Sequence, residues 1–369
     1  MVLIEEKKYK TGSFFLVKTE ELAYMRVMKE KNSRTLVIYN PTAGKGRAAS
    51  QQQDVENKLH SVGLSFLLQR TEAPGHAFQL AKKAGDEGFS LVVAAGGDGT
   101  ANEVLNGLLQ VREAEANGSM IPHFAVLPLG RGNDFSHGVG VPGDWGEAID
   151  LLATGVSRPM DAGKITGGDY PQGKYFGNGI GIGFDTRVGL EASKMTWAKG
   201  SFAYVFGALK TFALYPPAPD VSIHYNGQKL DLTSHQISIM NGTRMGGVFF
   251  MAPDAKTDDG LLDMCVAGNL NRRAMVDLMV RYTKGTQADH PQVQVHRAPH
   301  YTIQARSGSL VCHADGETIC LDGKELQVEC LPQALMLRGS RHAVSTTGNP
   351  VTPGAEFPQE PLEQDGKAQ

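Results

Sequence analysis

The sequence is poor in cysteine and contains no long apolar run. Its four cysteines, Cys265, Cys312, Cys320 and Cys330, lie in the last third of the 369 residues, and no pair has C-x-x-C spacing. This spacing excludes the common zinc and redox motifs and favours reduced thiols packed inside a cytoplasmic protein. No segment approaches the ~18 apolar residues of a membrane span, and the N-terminal MVLIEEKKYK places charges where a signal peptide needs an apolar core. We therefore expect a soluble protein whose membrane association is peripheral.

An excess of positive charge is also missing. The 36 Lys and Arg residues face 39 Asp and Glu residues, and the formal net charge is −3, so we expect no nucleic-acid partner bound through bulk positive charge. Apolar residues make up 41% of the chain, enough for a sizeable core, and the length favours two domains of ~150 residues. Glycine is abundant instead: 44 residues without a Gly-X-Y period predict many tight turns and close backbone approaches.

The chain changes pattern between two terminal segments. Residues 1–33 form an N-terminal extension without an assigned function, and residues 344–369, rich in proline and acids, are typical of a disordered tail. Residues 34–158 alternate short apolar runs with helical stretches, which predicts an α/β domain with a doubly wound parallel sheet. Ligands of such sheets bind at the carboxyl ends of the strands. The predicted strands are 35–39, 65–69, 91–95 and 124–127, and the predicted helices are 48–61, 75–87, 100–111 and 145–154.

From residue 159 onward, short strands and glycine turns replace this pattern. Asn226-Gly227 lies between two alternating runs and is a strong hairpin signal. The pattern predicts an antiparallel β-sandwich over residues 159–324. The predicted strands of this part are 221–225, 229–232, 236–240, 262–266, 292–296, 301–305 and 325–329.

Three glycine-rich turns follow three of the predicted parallel strands. They are Asn40–Arg47 (NPTAGKGR), Gly96–Thr100 (GGDGT) and Leu127–Phe135 (LPLGRGNDF). Glycines let the backbone approach phosphates closely, and the helix that follows points unpaired N–H groups at an anion. Asp98 would repel a phosphate, so its expected use is to hold water or Mg²⁺, or to fix the loop. Because the three turns meet at one edge of the sheet, they predict a phosphate-binding crevice.

Two patterns that would indicate other nucleotide-binding folds are incomplete. Asn40–Arg47 lacks the G-x-x-x-x-G-K-[ST] spacing, which excludes a P-loop NTPase. Gly177–Gly183 (GNGIGIG) lacks the G-x-G-x-x-G spacing and does not follow the first strand of a βαβ unit, which excludes a dinucleotide site there.

Two acidic stretches have both a chemical and an inert interpretation. Asp254–Leu261 (DAKTDDGL) offers carboxylates and backbone carbonyls in a tight turn, which suits Mg²⁺ or Ca²⁺ but equally suits a solvated turn. His313–Glu317 (HADGE) carries two carboxylates and is, on its residues alone, an ordinary acidic turn.

Taken together, the motifs resemble the diacylglycerol kinase catalytic-domain family, which includes soluble bacterial lipid kinases and the sphingosine and ceramide kinases. The matching segments are NPTAGKG, GGDGTANEVLNGL, LPLGRGNDF, DDGLLD and DGE, in this order over about residues 34–340. The resemblance implies the NAD kinase/diacylglycerol kinase-like fold, in which strands at about 325–340 return to the first domain. It also implies an ATP- and Mg²⁺-dependent kinase that transfers the γ-phosphoryl group to a lipid hydroxyl, with diacylglycerol the favoured acceptor and phosphatidic acid the product.

The resemblance also implies which residues contact ATP. One of them departs from the family pattern, because Arg131 stands where the family commonly has threonine, and its positive charge would either contact a phosphate or block the site. The implied ATP-binding residues are Asn40, Thr42, Thr71, Gly96, Gly97, Asp98, Gly99, Thr100, Ala101, Asn102, Gly130, Arg131 and Asn133.

The acidic stretches gain roles from the same resemblance. A structural Mg²⁺ would be held by the backbones of Lys256 and Leu261 and the side chain of Asp259. A carboxylate of the DGE turn would be the general base that deprotonates the lipid hydroxyl, with Glu317 preferred and Asp315 the alternative. Asp98 completes the expected catalytic group.

A lipid substrate at a membrane surface is the expected partner. Apolar residues recur at helical spacing along Ser201–Leu214, with lysines nearby, which is typical either of an interfacial helix or of a helix packed on the sandwich. A homodimer is left open. Alternative functions are a sphingoid-base or other lipid kinase, an NAD kinase, and a non-catalytic nucleotide- or lipid-binding module.

Overall fold

The computed structural model describes residues 34–114, 121–193, 215 and 217–340. The N-terminal extension (1–33), the predicted tail (344–369) and the predicted interfacial helix Ser201–Leu214 lie outside the described residues. In the described part of the chain, no helix is both long and apolar enough to span a bilayer.

The first half of the chain forms a parallel sheet with helices on both faces. Its strands are β1 (Thr35–Tyr39), β2 (Phe66–Arg70), β3 (Leu91–Gly96) and β4 (His123–Pro128), in the order β2-β1-β3-β4. Its helices are α1 (Arg47–Ser61), α2 (His76–Ala84), α3 (Asp98–Ala114), α4 (Asp134–Gly138) and α5 (Trp145–Thr154). The strand order reverses at β1, so right-handed crossovers place α1 on one face and α2 and α3 on the other. All three glycine turns lie at the carboxyl edge of this sheet, because each follows a parallel strand.

Most of these boundaries agree with the sequence prediction within two residues, but α2 ends early. Predicted to reach residue 87, it stops at Ala84, and Gly88 then adopts a φ of +77° that lets Phe89 N donate to Ala84 O at 3.0 Å. The turn therefore returns Phe89, 3% exposed, to the core.

The second half contributes most of two sheets that face each other. Its strands are β5 (Val156–Gly167), β6 (Tyr170–Phe176), β7 (Gly179–Gly183), β8 (Asp220–Tyr225), β9 (Gln228–Thr233), β10 (Gln236–Met240), β11 (Leu262–Ala267), β12 (Val293–Ala298), β13 (His300–Ala305), β14 (Leu310–Ala314), β15 (Glu317–Gly323) and β16 (Glu325–Gly339). Two helices accompany them, α6 (Phe184–Ser193) and α7 (Arg272–Lys284). One sheet is antiparallel, with the order β12-β11-β10-β7-β14-β15, and the other continues the parallel sheet as β4-β16-β13-β8-β9, with β5 and β6 beside β16. An α/β domain with an antiparallel β-sandwich is thus the observed architecture.

Strand β16 joins the two halves. It runs antiparallel to β5 from Gly339 to Leu326 and pairs in parallel with β4 at Leu337. Leu337 belongs to the core around the parallel sheet, whereas Leu326 and Val328 belong to the core between the two sandwich sheets. One 15-residue strand therefore takes part in both cores. The predicted domain boundary at residues 158/159 falls inside β5 rather than between elements.

Several elements of the second half differ from the sequence prediction. The glycine-rich Gly179–Gly183 is a buried central strand, and β5, β6, β14, β15 and helix α7 have no counterpart among the predicted elements. A third core, beneath α7, contains Met275, Leu278 and Tyr282.

Candidate functional site

Two of the glycine turns touch each other at the carboxyl edge of the parallel sheet. A Cβ atom on Gly130 would lie 2.5 Å from the Cα of Gly97, so only glycine allows the two turns to approach this closely. Leu129 N donates to Gly96 O at 2.8 Å, which continues the pairing of β3 and β4 into the turns. Helix α3 begins directly after this contact, at Asp98, and its unpaired N–H groups point away from the sheet edge.

The first glycine turn is fixed to the second by Asn40. Its amide donates to Thr100 Oγ1 at 2.9 Å, and its side-chain carbonyl accepts hydrogen bonds from Thr42 N (3.0 Å) and Thr42 Oγ1 (2.8 Å). Gly44 and Lys45 both have positive φ, near +61° and +65°, and turn the chain back toward α1. The turns therefore form one connected wall.

Together the turns surround an open crevice of about 590 Å³. Among its lining residues, Arg131 and Lys45 are exposed cations that make no ion pair within the described ranges. The predicted ATP-binding residues that line it are Asn40, Thr42, Thr71, Gly97, Asp98, Gly99, Thr100, Gly130 and Arg131. The others, Gly96, Ala101, Asn102 and Asn133, lie behind this wall and do not line the crevice.

A further crevice residue, Glu103, escaped the sequence analysis. Its carboxylate accepts hydrogen bonds from Gly75 N (2.9 Å) and Ala77 N (3.1 Å), so it holds the loop before α2 against α3. Its position in the sequence could have identified it, because Glu103 follows Gly99 by one helical turn of α3. At that spacing its side chain lies on the same face of the helix as the glycine turn.

The carboxylate of Asp315 is fully engaged. Oδ2 accepts from Asn102 Nδ2 (2.9 Å) and Gly177 N (2.8 Å), and Oδ1 accepts from Asn178 N (3.1 Å) and Gly179 N (2.9 Å). Burial raises the pKa of Asp315, and these N–H donors oppose the shift. This carboxylate therefore fixes the DGE turn to α3 and β7. Because each oxygen already accepts two hydrogen bonds, neither has an in-plane lone pair free to accept another.

Glu317 is held differently. Its carboxylate forms an ion pair with Lys174 Nζ, whose ammonium also lies 4.8 Å from the centre of the Tyr170 ring. Burial acts to lower the pKa of Lys174, but the contact with Glu317 outweighs it and the pKa is raised. The Glu317 side chain is 38% exposed, so a substrate group can reach it. Neither Glu317 nor Asp315 lines the crevice, and the link between them and it is Asn102 on α3.

Asp98 lies close to a second carboxylate that the sequence analysis did not select. Asp98 Oδ1 accepts from Phe135 N at 3.0 Å, and the neighbouring Asp134 accepts from Arg244 Nε (3.0 Å) and Gly247 N (2.9 Å). Burial, and then the charge of Asp98, raise the pKa of Asp134 to about 6. Two carboxylates that repel each other across a crevice edge suit a bound cation or its water shell.

The predicted metal loop is rich in oxygen atoms, but its Asp259 carboxylate is already paired with the guanidinium group of an arginine on β12. Asp259 accepts from Leu261 N at 3.1 Å and forms an ion pair with Arg297, which also contacts Asp263 at 3.0 Å. Burial raises the pKa of Asp263 to about 6, with Arg297 opposing the shift. Carboxylate and backbone oxygens fit the ligand preference of Mg²⁺. Among the described residues no three His, Cys, Asp or Glu side chains form a metal cluster, so an ion here depends on backbone carbonyls such as those of Lys256 and Leu261.

Comparison with known proteins identifies the family and the fold. The model of the diacylglycerol kinase catalytic domain matches residues 34–165, and the model of the YegS C-terminal NAD kinase beta sandwich-like domain matches residues 178–339. Two diacylglycerol kinases of Staphylococcus aureus are each 31% identical over 287 residues, covering 77% of this chain and 86% of theirs. A crystal structure of a diacylglycerol kinase from Bacillus anthracis superimposes with a TM-score of 0.63 at 22% identity and covers 85% of this chain and 98% of that one. The fold predicted from the sequence is confirmed, and the chain belongs to the diacylglycerol kinase catalytic-domain family, in its bacterial type.

Proposed function

We propose that this chain is an ATP- and Mg²⁺-dependent lipid kinase that phosphorylates the hydroxyl group of diacylglycerol to give phosphatidic acid. The observation that carries the proposal is the connected wall of glycine turns, with the N-terminus of α3 at its centre and the DGE turn bound to α3 through Asp315 and Asn102. The S. aureus relatives that bear the name diacylglycerol kinase support the choice of acceptor.

In this proposal the nucleotide lies in the crevice with its phosphates toward Gly97–Gly99. Backbone N–H groups at the start of α3 bind phosphate oxygens, and the Arg131 guanidinium adds a positive charge that threonine would not provide. Arg131 is exposed at the rim of the crevice, which favours contact with a phosphate over obstruction of the site. Mg²⁺, when bound with the nucleotide, neutralises charge on the β- and γ-phosphates.

The transfer itself needs only one proton acceptor. The lipid hydroxyl oxygen forms the new P–O bond, the bond from the γ-phosphorus to the bridging oxygen of ADP breaks, and the hydroxyl proton passes to Glu317. Asp315 positions the turn that carries Glu317. Lys174 holds Glu317 in place until substrate enters, and the ion pair must loosen for the proton to be accepted.

A structural Mg²⁺ at Lys256, Asp259 and Leu261 belongs to the same proposal. Asp259 would have to exchange its contact with Arg297 for the ion. The ion would tie the loop before β11 to the sandwich and would not touch the transferred phosphate. The protein would work in the cytoplasm and reach its substrate by peripheral association with the membrane.

A panel assay tests the proposed activity. Wild-type protein and a Glu317→Gln variant are incubated with γ-labelled ATP, Mg²⁺ and, separately, diacylglycerol, a sphingoid base, ceramide and NAD. We expect label in phosphatidic acid with the wild type and a loss of at least ~100-fold in the variant. Label in NAD or in a sphingoid base would show that this molecule, and not diacylglycerol, is the acceptor. ATP binding without ADP release on any acceptor would show that the chain is a binding module.

A further inference from the structure

Helix α7 presents an unusual outward face. Its inner side buries Met275, Leu278 and Tyr282 in the third core. The opposite side carries Arg273, Val276, Val280 and Lys284, spaced i, i+3, i+7 and i+11 along one stripe of the helix. The two valines are 48% and 47% exposed, and they lie between the two cations along the stripe.

The charge of this face is positive. Asp277 is the acidic residue on the helix, and Arg281 Nε holds it at 2.7 Å, so the pair contributes no net charge. Arg273 and Lys284 make no ion pair with any of the described residues. At the start of the helix, the Arg272 guanidinium lies 5.8 Å from the centre of the Tyr215 ring.

The end of α7 is joined to the wall of the crevice. Phe250 N donates to Tyr282 O at 2.7 Å, and the Phe250 ring lies 6.0 Å from that of His137 on α4. The loop that carries Phe250 also places Gly247 N against Asp134, at the third glycine turn. The tip of this loop, Val248, is 54% exposed. The C-terminal end of α7 is therefore linked through this loop to the third glycine turn.

We propose that the outward face of α7 is a docking surface for an anionic lipid bilayer. Valines flanked by Arg and Lys fit an interface in which the apolar side chains enter the headgroup boundary and the cations contact lipid phosphates. A second copy is a poor occupant, because a two-fold contact would set Arg273 and Lys284 against the same cations of the other copy. The inference rests on the proposed lipid substrate, whose membrane it would bring to the crevice.

Vesicle binding tests the surface directly. The full chain is sedimented with vesicles of phosphatidylcholine alone and with vesicles that contain 30 mol% phosphatidylglycerol, a composition chosen as roughly that of an anionic membrane. We expect binding to the anionic vesicles that weakens with salt. Each cation should contribute about fivefold to the partition coefficient, so Arg273→Gln combined with Lys284→Gln should lower it about 25-fold. Val276→Asp with Val280→Asp should lower it at least ~10-fold.

Matched variants elsewhere on the surface serve as controls. Lys82→Gln with Lys83→Gln removes two exposed lysines of α2, and Leu67→Asp replaces an exposed leucine of β2. Both should bind vesicles as the wild type does. Thermal melts of all variants confirm that the fold is retained, since every substituted side chain is exposed.

Kinase assays separate this inference from the proposed function. On diacylglycerol dispersed in neutral detergent micelles, the α7 variants should keep wild-type activity, and on anionic vesicles they should lose it with their binding. The inference is wrong if the α7 variants bind vesicles as the wild type does. It is also wrong if the wild type binds neutral and anionic vesicles equally well, or binds no vesicles. A dimer that Val276→Asp with Val280→Asp dissociates would likewise contradict it. Failure of the proposed function would appear as inactivity in micelles, and the sedimentation result would still decide the docking surface.

Discussion

At the scale of single residues, the two carboxylates of the DGE turn have different surroundings. Asp315 accepts four N–H hydrogen bonds, whereas the carboxylate of Glu317 is partly exposed and has Lys174 as its ion-pair partner. The sequence could not separate them, because both are acidic residues in one turn. Their partners lie far away in the chain: Asn102 is 213 residues from Asp315, and Lys174 is 143 residues from Glu317.

Substitution of each carboxylate should therefore have a different effect. Glu317→Gln keeps size and removes the proton acceptor, so kcat should fall roughly 10²–10⁴-fold while ATP affinity, measured by calorimetry, is unchanged. Asp315→Asn turns one acceptor oxygen into a donor that faces N–H groups, so it should lower the melting temperature as well as the activity. If Glu317→Gln is fully active and Asp315→Asn is folded but inactive, the two roles are exchanged.

Asp134 gives the fold a pH dependence that can be measured. Its folded pKa of about 6 exceeds the unfolded value of about 3.9, so between these values the native state binds more protons than the unfolded state. The contribution of this group to the free energy of unfolding is therefore full at and below about pH 4 and is lost as the pH rises through about 6. Urea titrations from about pH 4.5 to 7.5 should show the free energy of unfolding falling with pH in the wild type and falling less in Asp134→Asn. The same dependence on pH in both proteins would contradict this assignment to Asp134.

The candidate site was partly predictable from sequence at this scale. Glycine turns that follow parallel strands predict a crevice, because the carboxyl ends of parallel strands lie at one edge of the sheet. Nine of the predicted ATP-binding residues line this crevice. Asp134 and Lys174 were missed because their importance depends on Asp98 and Glu317, which the fold brings near. Asn102 and Asn133 were selected with their motifs but do not line the crevice.

At the scale of elements, the second and third glycine turns approach each other at backbone contact distance, and a side chain at Gly130 would separate them. Gly130→Ala would place a methyl group 2.5 Å from Gly97 Cα and from Asn133 Oδ1, so the two turns must separate. We expect a loss of about 1–3 kcal/mol in the free energy of unfolding and at least ~10-fold weaker ATP binding.

The control for this substitution is Gly143→Ala. Gly143 is exposed, and nothing lies within 4 Å of the position its Cβ would take. Its stability and ATP affinity should match those of the wild type. Equal ATP affinity in Gly130→Ala and Gly143→Ala would remove the turn contact from the nucleotide site.

The parallel sheet was easier to predict from sequence than the sandwich. Fully buried strands such as Leu91–Gly96 are continuous apolar runs between helices, and the pattern specifies them. Strand β7 gives no such signal, because its glycines are required by neighbours. A Cβ on Gly181 would collide with Asp185 and His313, two side chains placed by other elements. Helix α7 was missed because its exposed valines blur the amphipathic pattern.

At the scale of the whole molecule, β16 should make the two halves unfold together. Leu337 on this strand is fully buried in the core of the parallel sheet, so Leu337→Ala should cost about 2–5 kcal/mol. Hydrogen exchange in urea should then show protection lost at one midpoint in both halves. Met336→Ala, at the neighbouring, 37% exposed position, should change stability little. Two separate midpoints in Leu337→Ala would show that β16 does not couple the cores.

The shared strand also sets an order of events during synthesis. Strands β1 to β4 leave the ribosome early, but the neighbour of β4 in the sheet is encoded near the end of the described chain. At about 5–20 residues per second, the ~200 residues between β4 and β16 take roughly 10–40 s to make. For that time the nascent parallel sheet has an open, apolar edge at β4, which is a binding site for chaperones and for other nascent chains. Ribosome-bound chains halted before residue 325 should therefore be sensitive to protease in their first half, and chains halted beyond residue 339 should be resistant once β16 has left the exit tunnel.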